Sequence, residues 1–277
     1  MLPVMPSRLS DIHAVPKDDG FSFDVPGCYR TAAFQELLAR YPTALQLYAR
    51  HVEARSYSKD YLQHVRQVVP RLVRWLGAEL AADGRPGLCV QASALLSRLL
   101  EDLGIWNYVV AGGCVLSFVP ANVRPRVFYL FDLQPLEVPH AWVVAPPFQV
   151  IDLTLRQQRY PGAEAKRIPR QVMSCRALQT SVVPEDVCTP ALLKGLLLRG
   201  WRREQLLPNV FVQFWHFLKH FPARQVEMPG VTVKYIPARL LLPPWHAAWE
   251  AMPLINGKSF QQFRSKMAIV LARSRPA

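Results

Sequence analysis

Residues 138–155 read VPHAWVVAPPFQVIDLTL. Two runs rich in valine, isoleucine and aromatic residues flank Pro146-Pro147, the pattern of two antiparallel strands joined by a tight turn. One imidazole, His140, stands in the first run, and one carboxylate, Asp152, in the second. Each costs solvation free energy inside an apolar strand unless a partner offsets it. They lie twelve residues apart about the turn. That spacing predicts a directly facing pair, with Cβ atoms roughly 5 Å apart. Each polar group then satisfies the other. Trp142, two residues after His140, shares its face by strand alternation, where it would shield the pair or line a substrate site.

Upstream, IWNYVVAGGCVLSFV (105–119) and RVFYLFDL (126–133) have the same texture and predict two further strands of one antiparallel sheet. Before them the periodicity is helical. TAAFQELLARY (31–41) and TALQLYARHVEA (43–54) predict short helices, and residues 58–80 a longer one, capped by Ser58 and interrupted at Pro70. ADGRPG (82–87) breaks the pattern. LCVQASALLSRLLEDLG (88–104) then places Val90, Ala94, Leu95, Leu99 and Leu103 on one stripe, with Gly104 as a stop. Beyond residue 162 a basic irregular link leads to a second helical region, including PNVFVQFWHFLKHF (208–221) and a last helix in residues 259–274. The expected organisation is an arm (1–28), an N-terminal helical segment (29–84), a core (85–162) and a basic C-terminal helical extension (163–277). The fold class is α+β.

Cys89 falls where the Gly-rich break ends and the helix begins. Backbone N–H groups of a first helical turn lack partners within the helix, and the macrodipole adds partial positive charge there. Both favour thiolate over thiol, and the same N–H groups can hold a developing oxyanion. A thiol nucleophile also needs an imidazole to share its proton and a group to orient that imidazole. Cys89, His140 and Asp152 supply these three roles.

In this order and on these elements, GLCVQASALLSRLLEDLGI, HAWVV and VIDLT resemble the bacterial transglutaminase-like domain, a branch of the papain-like cysteine superfamily. The likeness spans residues 80–160. Leu153 stands where that family has proline in its Asp-Pro-Thr motif, and Val90 where the animal cross-linking enzymes carry tryptophan. The resemblance implies a papain-like core, with the nucleophile helix packed on an antiparallel sheet. It also implies thiol chemistry on an amide of a peptide or protein substrate, through an acyl-enzyme resolved by water or an amine. Hydrolysis is placed ahead of transfer, because nothing marks an amine-acceptor site. Some members of the family only bind, so a non-catalytic module is the alternative.

Composition sets the surroundings. The five cysteines, Cys28, Cys89, Cys114, Cys175 and Cys188, form no CxxC pair, which argues against a disulfide framework and a structural zinc site. His216 and His220 share a helical face but lack a neighbouring carboxylate; no metal and no cofactor are expected. No apolar run reaches the length of a membrane span, and the polar N-terminus lacks the pattern of a signal peptide; a cytoplasmic protein is expected. Residues 1–154 hold 14 Lys/Arg and 14 Asp/Glu, whereas residues 155–277 hold 19 against 6, the whole of the net +13. Such a half suits an acidic partner, nucleic acid or an anionic membrane surface, or is simply a solvated basic face. The stretches KRIPR (166–170) and RGWRRE (199–204) accompany no nucleic-acid module, so nucleic acid is not the expected partner.

Overall fold

Helix starts follow the capping rule. Thr31 accepts from the Phe34 N–H to open α1 (Ala32–Arg40), and Ser58 from the Tyr61 N–H, at 3.1 Å, to open α3 (Lys59–Asp83); between them lies α2 (Ala44–Ala54). The computed structural model describes residues 23, 25–119, 123–133, 139–160 and 163–272, so most of the expected arm lies outside the described residues. Pro70 does not interrupt α3, which runs unbroken for 25 residues. Losing one N–H there is outweighed by the apolar face around it, where Val65, Val69, Leu72, Val73 and Leu76 are fully buried.

The helix α4 (Cys89–Asp102) is buried nearly all round rather than along one stripe. Val90, expected on the buried stripe, is 41% exposed. Ser97, Arg98 and Glu101 are instead enclosed at the far end of the helix. Glu101 accepts from the Tyr29 hydroxyl and faces Arg30 and Arg98, each at 3.5 Å. This buried cluster fastens α4 to the segment before α1.

Among the described residues eight strands follow, interleaved with the remaining helices: β1 (Tyr108–Phe118), β2 (Arg126–Phe128), β3 (His140–Ala145), β4 (Phe148–Asp152), β5 (Val172–Ser174), β6 (Leu178–Gln179), β7 (Arg224–Met228) and β8 (Val231–Leu241). The order is β5-β4-β3-β1-β8-β7-β6, with every ladder antiparallel, and β2 pairs with the second half of β1. The predicted strand at 126–133 is shorter than expected, because the chain leaves the sheet after Phe128 and Phe131 bridges to Cys188.

The expected C-terminal helical extension is corrected: among the described residues it holds α5 (Pro184–Val187), α6 (Pro190–Leu198), α7 (Arg203–Gln205), α8 (Val212–His220), α9 (Ala247–Ala251) and α10 (Phe260–Ala272), but also the four strands β5 to β8. Its β8 lies beside β1 in the centre of the sheet. The reason is visible in VTVKY, where Val231, Val233 and Tyr235 alternate inward as a strand requires. Val109, Val143 and Ile151 pack with α3, α4, α9 and α10. Tyr108, Val110, Trp142, Val150 and Tyr235 pack in a separate cluster with α1 and α2. The fold is α+β, and among the described residues no helix is long and apolar enough to cross a membrane.

Candidate active site

The β3–β4 ladder aligns Val143 with Ile151 and Ala145 with Phe148. Gln149 and Val150 therefore stand opposite the single Val144, a one-residue bulge. His140 and Asp152 consequently meet on the diagonal, not directly opposed as the spacing predicts. They still meet closely: His140 Nε2 lies 2.6 Å from Asp152 Oδ2, with both side chains fully buried.

Asp152 is held from several sides. Its Oδ1 accepts from the backbone N–H groups of Thr154 (2.9 Å) and Leu155 (3.0 Å), and its Oδ2 also accepts from the Tyr235 hydroxyl at 3.1 Å. Burial would raise the carboxyl's pKa, but His140, the Thr154 N–H and Tyr235 more than offset it, and the group is held below its ordinary value. For His140, burial opposes charge, yet the neighbouring carboxylate outweighs burial and, with Cys89, raises the imidazole above its ordinary range. The second ring nitrogen, Nδ1, is buried without a partner of normal hydrogen-bond geometry. Cys89 lies near enough to contribute to the upward shift of this ring, after Asp152.

Cys89 is the first residue of α4 and is 4% exposed. Leu88 before it offers no side-chain cap, and the first backbone bond of the helix runs from the Ala92 N–H to the Leu88 carbonyl at 2.8 Å. The N–H groups of Cys89, Val90 and Gln91 thus have no partner within the helix. The structure joins His140 to Asp152 directly and places Cys89 at the start of α4, near enough to contribute to the imidazole's upward shift.

Trp142 is buried, with its ring centroid 6.3 Å from that of His140; Phe128 lies on the ring at 6.1 Å, also nearly parallel. Trp142 in turn meets Tyr235 edge-on at 5.1 Å. It is thus packed between the imidazole and the Tyr235 ring. A cavity of about 20 Å³ beyond it, lined by Glu53, Tyr108, Trp142 and Tyr235 among others, has room for about one water. A shallow hollow of about 570 Å³ beside α9 and α10 includes none of these side chains.

Two contributors escape the sequence reading. Gly112 pairs with His140, and a Cβ there would sit 2.0 Å from the Ile236 carbonyl oxygen and 2.9 Å from Trp142. Only glycine lets β1, β3 and β8 approach so closely behind the imidazole. Tyr235 lies 83 residues from Asp152. Its signal is a lone hydroxyl among the inward apolar residues of β8, which becomes meaningful only once β8 is known to lie beside β1.

Tyr235→Phe removes one donor from Asp152 and leaves the others. If the site performs the acyl transfer expected from the sequence, its rate should fall about 10- to 150-fold, the worth of one hydrogen bond to a charged group. Because Tyr235 helps to hold the Asp152 pKa down, the acid limb of the pH–rate profile should move to higher pH. Rate profiles of the two proteins measured in parallel check this, and coincident acid limbs would refute it.

Among the described residues no group of three or more His, Cys, Asp or Glu is placed to hold a metal. Comparison of the chain with protein-family models, curated proteins and solved structures found no match, so its chemistry is read from this geometry.

Proposed function

We propose that the protein is a cysteine-dependent amide hydrolase or acyltransferase acting on a peptide or protein, built on a papain-like, transglutaminase-like core. The observation that carries this reading is the polarity of His140. One ring nitrogen is anchored on a carboxylate held by Tyr235 and two backbone N–H groups; the other lacks a well-formed partner in a buried site that has a thiol beside it. A structural histidine would have both nitrogens satisfied. A ring that must shuttle a proton needs one side fixed and the other free for sulfur, and such bonds commonly tighten only when substrate binds.

In this mechanism His140 accepts the Cys89 proton, and the resulting imidazolium, stabilised by Asp152, favours the nucleophilic sulfur. The sulfur attacks the substrate carbonyl carbon, and the carbonyl oxygen gains negative charge against the Cys89 N–H at the positive end of α4. His140 returns the proton to the leaving amine as the carbon–nitrogen bond breaks. Water or a second amine, deprotonated by the same ring, then attacks the thioester and frees the sulfur. Trp142 and Phe128 keep solvent from the ion pair. We place this chemistry in the cytoplasm, where a catalytic thiol stays reduced.

A thiol-directed label tests the reading. Iodoacetamide at pH 6, read by mass spectrometry of the digested protein, should modify Cys89 first and faster than free cysteine. Cys114 and Cys188 are buried, and burial raises both thiols above their ordinary range; Cys175 is exposed, but its thiol is raised as well. If Cys89 reacts no faster than Cys175, the catalytic reading fails.

A further inference from the structure

The basic half of the chain carries a feature that acyl transfer does not use. Helix α6 ends at Leu198, and Gly200, at φ +89°, turns the chain sharply back. From Leu198 to Glu204 all seven residues are exposed. They read LRGWRRE, with Leu198 79% exposed and Trp201 38%. Behind this tip Leu193 and Leu196 are buried with Leu206 and Leu207, so its base is firmly packed. Lys194, exposed and one turn before Leu198, extends the positive charge along the helix. Arg203 is paired with Glu185, whereas Arg199 and Arg202 form no ion pair among the described residues.

We infer that this tip docks the protein on an anionic bilayer surface, with Leu198 and Trp201 entering the interface and Arg199, Arg202 and Lys194 meeting lipid phosphates. Three features select this occupant. A bulky aliphatic residue and a tryptophan beside arginines is the composition of an interfacial anchor, in which the apolar groups enter the acyl boundary and the cations stay at headgroup level. Seven residues on a turn fall well short of the roughly 800 Å² per partner that a standard protein interface buries, whereas a fluid bilayer moulds itself to a projecting tip. A polynucleotide would pair with the arginines but offers Leu198 no apolar surface. The charge balance agrees: the half of the chain bearing the tip holds the entire net +13.

The test is co-sedimentation of the full chain with vesicles of phosphatidylcholine alone and of phosphatidylcholine with phosphatidylserine, beside retention on an immobilised RNA homopolymer. Binding is expected on the anionic vesicles and should weaken as salt is raised. Arg199→Glu with Arg202→Glu should lower partitioning by at least about 30-fold, near the worth of two interfacial cations. Leu198→Ser with Trp201→Ala should lower it on the order of tenfold, through lost apolar burial. All four positions are exposed, and unchanged labelling of Cys89 verifies that each variant is folded. The inference is overturned if anionic vesicles bind no better than zwitterionic ones, or if the Leu198/Trp201 variant partitions like the parent. It is equally overturned if RNA is retained more strongly than the vesicles and without dependence on Leu198 and Trp201. None of these results bears on acyl transfer at Cys89.

Discussion

Cys89→Ala is expected to abolish the burst of p-nitrophenolate released when the protein is acylated by p-nitrophenyl acetate, a fall of about 10³-fold or more. The size follows from the absence of a substitute. Cys114 is fully buried on β1, and its thiol is pushed far above the ordinary range by burial, Asp152 and Cys89. A proton held there leaves no nucleophile for the imidazole to activate. Water bound in place of the sulfur would still face the helix N-terminus and His140, which accounts for any slow residual turnover. The fold should survive, because the change deletes one sulfur from a nearly buried position at a cost of about 1 kcal/mol. Thermal melting of the variant close to that of the parent, with the burst gone, is the expected pair of observations. Cys114→Ala should keep the burst. A burst undiminished in Cys89→Ala would remove the nucleophile and leave His140 and Asp152 as a buried structural pair.

The meeting of His140 and Asp152 is legible in the sequence because two polar residues interrupt two apolar runs about a Pro-Pro turn. The exact pairing is not. The bulge at Gln149 and Val150 adds one residue to β4, so Phe148 and Ile151 point to the same cluster although three positions separate them. Alternation counted along FQVID cannot reveal an inserted residue. Cys89 is legible from the break at ADGRPG. The burial of its helix on all sides is not, since Ser97, Arg98 and Glu101 become core only when Tyr29 and Arg30 arrive from a distant segment. The largest gap is β8. A strand pairs according to what lies beside it, and nothing local to Val231–Leu241 announces that β1 is its neighbour. The same gap hides Tyr235 as a support for Asp152.

Asp152→Asn is expected to lower acyl transfer by about 10³- to 10⁴-fold while leaving Cys89 in place. In the parent, Oδ1 accepts two backbone N–H groups and Oδ2 accepts from His140 Nε2 and the Tyr235 hydroxyl. Asparagine has one acceptor and one donor to fill these two positions. If its oxygen keeps the two backbone N–H groups, its NH₂ faces Nε2, which must then accept, and the ring proton moves to Nδ1. That is the wrong tautomer for taking a proton from sulfur. If the amide is reversed, two backbone donors are left buried without an acceptor, at about 1–3 kcal/mol each.

The same change alters the pH response, and its sign can be worked out. Asp152 is depressed in the folded protein, so its contribution to stability is present above the ordinary carboxylate range and is lost as pH falls through the depressed value. His140 is raised, so its contribution is complete below the ordinary imidazole range and is lost as pH climbs through the raised value. Both contributions are therefore complete only between the ordinary carboxylate and imidazole ranges, and stability falls away on the acid side as Asp152 protonates and on the alkaline side as His140 loses its proton. In Asp152→Asn the imidazole loses the charge that outweighs burial, and its titration should drop below that of the parent. Following the His140 ring by NMR through a pH series measures this directly. A ring that titrates as in the parent, with acyl transfer intact, would mean that Asp152 neither sets the tautomer nor holds the charge.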